Sequence, residues 1–301
     1  MGKGIGCKKC LCQKIVTVYA FPDLILLMRC TFFCSTHFFI TCIVLVSCQN
    51  NSTVSDNSIK KTDSTVNAMA IIEKSIKAYP DSLLLIAKLA DLQEENGRLD
   101  MALATLEKGL EKDSTAAIFY NRKASLLIAK GDTSGAINGL LKSLSYAPEQ
   151  TDIHVELGFL YAARKNKNAL VVADFLLTQS DQPQLQAKAR YLKGIYYSNL
   201  GETKKALEQF NECILNDYTF IDAYMEKGIL IYNDKRFEEA LKAFEKVIAI
   251  SNTHAEAYFW TGKCLEAMNK KEEAIDYYKK SIGLDDKITE AVDAVERLSR
   301  K

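Results

Sequence analysis

Residues 221–254 have the sequence IDAYMEKGILIYNDKRFEEALKAFEKVIAISNTH, and this stretch decides the fold. The stretches before and after it carry small residues at the same places. Glycines recur 34 residues apart at Gly194, Gly228 and Gly262. Alanines recur with the same spacing at Ala206, Ala240 and Ala274. A fixed period of this length indicates an array of structural repeats, none of which can bury its apolar face alone.

The small positions predict two antiparallel helices, A and B, in each repeat, because helix axes approach closely only where side chains are short. Position 8 of the 34-residue frame is small in six repeats, and position 20 is alanine in five. Position 24 carries a large side chain in five repeats, at Leu106, Leu140, Phe210, Phe244 and Tyr278. The scarcity of Gly (14) and Pro (4) among 301 residues also favours a mostly helical chain.

This pattern resembles the tetratricopeptide repeat. The resemblance implies an all-α fold, a right-handed superhelical solenoid of helix-turn-helix repeats, over residues 66–301. The expected order is a half repeat, six full repeats and a capping helix: 66–82, 83–116, 117–150, 151–186, 187–220, 221–254, 255–288 and 289–300. Repeat 151–186 is two residues longer than the others, and its second helix loses the small-and-large register. We expect this repeat to end in a longer loop over residues 180–183.

The amino-terminal segment has the features of a secretory signal. Residues 31–47, TFFCSTHFFITCIVLVS, contain no Asp, Glu, Lys or Arg, and Arg29 lies just before them. The run LVSC at 45–48 resembles the lipobox of bacterial lipoproteins. The resemblance implies that residues 1–47 are a signal peptide and that Cys48 becomes the acylated first residue of the mature chain. Two or more acyl chains would hold the protein stably at a membrane.

Residues 48–65 are expected to form a lipidated, disordered tether, because they are polar and offer little apolar surface to bury. Gln49, where related lipoproteins of the inner membrane carry Asp, implies an outer-membrane lipoprotein that faces the periplasm. Two alternatives stay open. Residues 31–47 could be an uncleaved membrane helix, at the lower end of the spanning range of ~17–25 residues. Translation could also begin at Met28.

Charge and motifs argue against other classes of protein. Lys and Arg number 39 against 38 Asp and Glu, which gives no basic face for nucleic acid. The sequence lacks the common metalloprotease, nucleophile-elbow, phosphate-loop and dinucleotide motifs, so we expect neither an enzyme nor a small-molecule cofactor. Cys7, Cys10 and Cys12 offer three thiols without a nearby fourth ligand, so we expect no metal site.

In the tetratricopeptide family, helix A builds the concave wall that binds partners. The resemblance therefore implies a partner-binding groove of apolar side chains and two asparagines: Tyr191, Ile195, Asn199, Met225, Ile229, Tyr232, Asn233 and Phe259. Aromatic residues and Met are enriched in binding surfaces. The alternative is that part of this strip packs on neighbouring helices.

The preferred function is a membrane-anchored scaffold or adaptor of the cell envelope that binds other proteins or peptides. An aromatic groove would also suit a sugar. A carbohydrate- or peptidoglycan-binding surface or periplasmic module is therefore the alternative.

Overall fold

A computed structural model describes the backbone of residues 56–300 and the side chains of residues 67–300. This part of the chain forms fourteen α-helices and no strand, which confirms the all-α fold class. Within residues 56–300, no helix is both long and apolar enough to cross a membrane. The predicted signal peptide, Cys48 and the start of the tether lie outside the described residues.

The helices follow one another with short connections. They are α1 (Asp56–Ala78), α2 (Leu83–Glu95), α3 (Leu99–Lys112), α4 (Ala117–Ala129), α5 (Thr133–Tyr146), α6 (Thr151–Ala163), α7 (Asn168–Gln179), α8 (Pro183–Leu200), α9 (Thr203–Asn216), α10 (Ile221–Asn233), α11 (Phe237–Ile250), α12 (Ala255–Ala267), α13 (Lys271–Leu284) and α14 (Thr289–Ser299). Helix α1 begins inside the segment for which the sequence predicts a tether. Residues 56–65 contain no Gly or Pro, so nothing in the backbone stops the helix there.

The helices form two compact units, with the boundary between Gly139 and Leu140 inside α5. In the first unit, α1 packs against α2, α2 against α3, and α3 against α4. In the second unit, consecutive helices from α6 to α14 pack in the same way, and α6 also packs against α8. Such contacts between sequence neighbours are those of antiparallel helical hairpins.

The turn inside each hairpin has the same geometry in all six repeats. The residue at position 15 has a positive φ, between 57° and 81°, at Gly97, Gly131, Lys165, Gly201, Lys235 and Asn269. The next backbone N–H donates to the carbonyl of position 11, as from Glu202 to Tyr197 at 2.9 Å. This is the Schellman ending of an α-helix, which supplies donors to its last carbonyls and reverses the chain into helix B.

The large residues at position 24 lie against the glycines at position 8 of the same repeat. Phe244 covers Gly228, where a β-carbon would lie 2.6 Å from its Cε1 atom. Tyr278 covers Gly262 in the same way, at 2.8 Å from Cδ1. The position-24 side chains of the last three full repeats, Phe210, Phe244 and Tyr278, are all buried, as are the alanines at position 20. The missing β-carbon therefore lets the two helices of a hairpin approach closely.

The irregular repeat 151–186 solves the same packing problem differently. Its glycine at position 8, Gly158, is covered by Leu192 of α8 and by Val172 of α7. The expected long loop over 180–183 is wrong, because α8 begins at Pro183 and only three residues connect it to α7. Proline suits the first turn of a helix, where its missing N–H has no partner to lose. The two extra residues of this repeat therefore lengthen α8.

Helix α14 covers the last hairpin as a cap. It begins at Thr289, one full period after the start of α12, and therefore takes the place of helix A in a further repeat. Ala291 and Ala294 are buried against the last hairpin, and Val295 and Leu298 pack at their side. Position 8 of this frame is the exposed Glu296 instead of a small residue. A charged residue there gives no seat for another helix B.

Candidate partner-binding surface

The residues predicted to line the groove divide into buried and accessible ones. Tyr191 is only 8 % exposed, and its ring packs between those of Phe159, Phe210 and Phe220 at centroid distances of 5.0–5.7 Å. Met225 is 6 % exposed in the core of the next repeat. These two side chains contribute to the packing between helices and offer little surface to a partner.

The other predicted groove residues differ in what they contact. Ile195 and Ile229 are half-buried and pack at the edges of the core. Asn199 donates from Nδ2 to the carbonyl of Ala162 at 3.1 Å, so it closes the end of α6. Asn233 is exposed at the end of α10. Unlike Asn199, Asn233 makes no side-chain hydrogen bond to another residue within 67–300.

Tyr232 and Phe259, the remaining two predicted residues, line a pocket in the second unit. The pocket has a volume of about 310 Å³ and lies between α10, α12, α13 and α14. Its walls are Tyr232, Phe259, Lys263, Glu266, Ala267, Tyr278, Glu290, Ala294 and Arg297. This volume lies at the lower end of the roughly 300–1,000 Å³ that is usual for ligand pockets.

The ammonium group of Lys263 lies over three aromatic rings at the pocket. Its Nζ atom is 4.5 Å from the ring centroid of Trp260, 5.3 Å from that of Tyr232 and 5.5 Å from that of Phe259. Ring faces attract a cation electrostatically. Burial lowers the pKa of Lys263, although the charges of Glu266 and Glu290 act against this shift. The pocket therefore holds a cation that is partly removed from water.

Glu266 connects the pocket to the capping helix. Its two carboxylate oxygens accept from both terminal nitrogens of Arg297, at 2.6 and 3.0 Å. The hydroxyl of Tyr278 also donates to Glu266, at 2.8 Å. The hydrogen bond from Arg297, more than any other influence, lowers the pKa of Glu266. Glu266 is therefore ionised at neutral pH and fixes α14 against the last hairpin.

Sequence reasoning did not single out Tyr278 and Arg297 as residues of this surface. Tyr278 occupies position 24, which predicts a core side chain, and only its hydroxyl reaches the pocket. The sequence contains one signal for that role, since position 24 is Phe in the two preceding repeats and Tyr here. Arg297 comes from the capping helix, whose docking cannot be derived from the period of the repeats.

Helical hairpins with a common turn and common small positions define a helical-repeat protein. Two family models, both described as tetratricopeptide repeat, match the chain. One matches residues 187–219, 221–254 and 255–288, and the other matches residues 87–151. Together these matches cover more than half of the chain, which belongs to the tetratricopeptide repeat family. Such repeats are generally modules without catalytic activity that bind other proteins.

Solved structures of other repeat proteins show the same fold. A tetratricopeptide repeat protein from Parabacteroides merdae has a TM-score of 0.63 at 21 % identity, over 80 % of this chain and 94 % of that one. PilW, a type IV pilus biogenesis factor, has a TM-score of 0.59 at 18 % identity, over 71 % and 98 %. Part of a repeat protein from Cytophaga hutchinsonii gives 0.50 at 18 %, over 79 % and 97 %. No curated protein sequence matches the chain.

Proposed function

We propose that this protein is a membrane-anchored scaffold or adaptor of the cell envelope. Its acylated Cys48 would attach it to the outer membrane, with the repeats facing the periplasm. The helix A wall of the second unit would bind an extended segment of a partner protein. The signal sequence and the lipobox-like run at 45–48 support the location.

The pocket beside α12 is the observation that supports the binding role. It joins accessible aromatic surface, at Tyr232 and Phe259, to charged groups at its rim. Aromatic side chains and a few convergent polar groups are typical of surfaces that bind peptides and proteins. The buried Tyr191 and Met225 move the expected contact area from the middle of the wall toward its carboxyl-terminal end.

Crosslinking in intact cells, followed by affinity purification of the full chain, tests this proposal. Ala267 lines the pocket, so Ala267→Arg would fill the pocket without removing a core side chain. We expect this variant to recover its crosslinked partner at least about tenfold less well, because loss of a central interface contact costs about 2 kcal/mol. Mass spectrometry of the crosslinked proteins provides the measurement.

Ala249→Arg is the matched control, because Ala249 is exposed on α11, which is a helix B. This variant carries the same added charge and volume and should recover the partner as the natural chain does. Equal recovery of partners by both variants would contradict the proposal. So would binding to isolated peptidoglycan that Ala267→Arg abolishes, since that result would favour the carbohydrate-binding alternative.

A further inference from the structure

Among residues 67–300, no side chain or carbonyl accepts a hydrogen bond from the ammonium group of Lys263. Among the described side chains, no carboxylate lies within 4.0 Å of its Nζ atom, and no hydrogen bond from it is found. The rings of Trp260, Tyr232 and Phe259 attract its charge but are poor acceptors. An ammonium group has three N–H donors, and here they remain available at the pocket.

The acids near Lys263 do not satisfy this need. Glu266 could pair with Lys263, but its carboxylate already accepts hydrogen bonds from Arg297 and from the hydroxyl of Tyr278. Glu290 acts on Lys263 through its charge, yet it stands on α14 without an ion pair to the ammonium group. The network that holds the capping helix therefore already occupies the carboxylate whose charge acts most strongly on Lys263.

Another lysine of the helix A wall, Lys188, has a different environment. Lys188, on α8, faces Asp152 at 3.5 Å and is exposed. Position 9, where Lys263 stands, carries Ile195 and Ile229 in the two preceding repeats. In the second unit, a lysine has thus taken a place that is apolar in the three preceding repeats, at Phe159, Ile195 and Ile229, and it lies beside the pocket.

We propose that Lys263 binds the carboxylate of an acidic residue inside an extended partner segment. The apolar neighbour of that acidic residue would lie on Tyr232 and Phe259. This inference rests on the proposed binding function and adds the chemistry that selects the partner. A single ammonium group matches a single carboxylate, and a hydrogen bond between two charged groups is strongest where water is partly excluded.

The segment is expected to continue past the pocket instead of ending in it. The wall extends from the pocket along α10, where the half-buried Ile229 lies next to Tyr232 in the same repeat. A chain that placed its acidic side chain at Lys263 would therefore find further apolar surface for the residues beside it. The remaining N–H groups of Arg297, which is 58 % exposed, lie at the same rim.

Fluorescence anisotropy with short labelled peptides tests this inference on the full chain. The probes are acetylated and amidated peptides with the central sequence Phe-Glu-Leu or Phe-Gln-Leu, which differ by one charge. We expect the glutamate peptide to bind about tenfold more tightly at low salt, as a charge-assisted hydrogen bond in a partly desolvated site would give. Lys263→Gln should reduce this ratio to about one.

Lys188→Gln is the matched control, since it removes the same charge from the same wall at an exposed position. It should leave the ratio between the two peptides unchanged, and circular dichroism should show that both variants fold. Equal binding of the two peptides to the natural chain, or no binding of either, would overturn the inference. An equal loss of the ratio in both variants would do the same.

A third probe, with a free carboxyl-terminal Phe and no acidic residue, separates an internal acidic residue from a chain end. Preferred binding of this probe would show that the source of the carboxylate is wrong. The outcomes also stay distinct from those of the proposed function. Loss of crosslinked partners in Ala267→Arg with equal binding of the two peptides would leave the groove in place and remove only the role of Lys263.

Discussion

At Gly228, an added β-carbon would lie 2.6 Å from Cε1 and 2.7 Å from Cζ of Phe244, well inside van der Waals contact. The aromatic ring is buried and cannot rotate away without disturbing its neighbours, among them the stacked ring of Trp260 at 5.8 Å. In the first full repeat, the same two positions hold Ala90 and Leu106, which are both buried in one core cluster. Leu106 is smaller than Phe244 and therefore leaves room for the methyl group of Ala90.

We expect Gly228→Ala to lower the free energy of unfolding by about 1–3 kcal/mol, because overpacking a buried contact costs that much. Adding Phe244→Leu should recover part of this loss, since the pair would then resemble Ala90 and Leu106. The midpoint of urea unfolding, followed by circular dichroism, provides the measurement. A double variant no more stable than Gly228→Ala would contradict the packing argument.

Gly283→Ala is the control for the substitution itself. Gly283 is helical and exposed, and an added β-carbon would meet no atom within 4 Å. Alanine there should be neutral or stabilise the helix by about 0.5–1 kcal/mol, the usual difference between the two residues. Opposite signs at Gly228 and Gly283 would separate the packing effect from helix propensity.

The spacing of residues predicted the small and large positions well, but it could not distinguish Tyr191 from Tyr232. Both are aromatic residues of helix A at positions expected to face a groove. Tyr191 is buried because three rings from α6, α9 and the segment before α10 surround it. Those neighbours are brought together by tertiary packing, which a periodic pattern on one helix does not specify.

Among the elements, the capping helix α14 depends on a charged contact as well as on apolar packing. The carboxylate of Glu266 is held by Arg297, and this contact lowers its pKa below the ordinary value of 4.5. A lowered pKa in the folded state means that the contact stabilises the protein above about pH 4.5. The stabilisation is lost as the pH falls through the lowered pKa.

We therefore expect Glu266→Gln to reduce stability at pH 7 and to have progressively less effect as the pH is lowered below 4.5, because the natural carboxylate then becomes protonated. The difference at pH 7 should be about 0.5–1 kcal/mol, because Arg297 is more than half exposed and water screens the pair. Thermal unfolding of both proteins across this pH range measures it. A difference that does not change with pH would contradict the role assigned to the charge.

Glu296→Gln is the control on the same helix. Glu296 and Arg300 face each other at 3.6 Å, and both are largely exposed. Their contact is of the surface type that contributes little, so the unfolding midpoint should follow that of the natural chain at each pH. A loss equal to that of Glu266→Gln would show that any charge on α14 has the same effect.

The extents of α1 and α8 show what the sequence left open at the scale of elements. The period located the repeats but not the ends of helices outside its regular part. Helix α1 extends into a polar segment, and α8 takes up the two extra residues of the irregular repeat. Local backbone chemistry sets the start of both helices. For α1 it is the absence of helix-breaking residues, and for α8 it is the proline in the first turn.

For the whole molecule, the family and the helical fold followed from the 34-residue period, because each repeat of such an array packs only against its neighbours along the chain. The partner surface did not follow as completely. Its position depends on α14 and on the network of Glu266, Tyr278 and Arg297, which join three different helices. The amino-terminal address remains a prediction from sequence.

The predicted signal peptide and lipidation site determine how the entire protein should behave in cells. In cells that process bacterial lipoproteins, the natural chain should sediment with membranes and yield a mature amino terminus at an acylated Cys48. Cys48→Ser should be neither acylated nor cut at this site, because the thiol is the group that receives the lipid. Membrane fractionation and mass spectrometry of the amino-terminal peptide provide the measurement.

The outcome also separates the alternatives for residues 31–47. A cleaved and lipidated terminus in the natural chain supports the lipoprotein. Retention of peptides from residues 31–47 in both proteins, with equal sedimentation in membranes, would indicate an uncleaved membrane helix instead.

The left-handed residue at position 15 has a consequence for how such a chain can change in length. Every hairpin in the described part closes through the same turn, whether the residue there is glycine, lysine or asparagine. A duplication of any 34 residues would therefore bring its own chain reversal with it and leave the neighbouring turns intact. The array can therefore gain or lose whole repeats by in-frame recombination. The pocket stays with the repeat next to the capping helix, because that helix forms part of its wall.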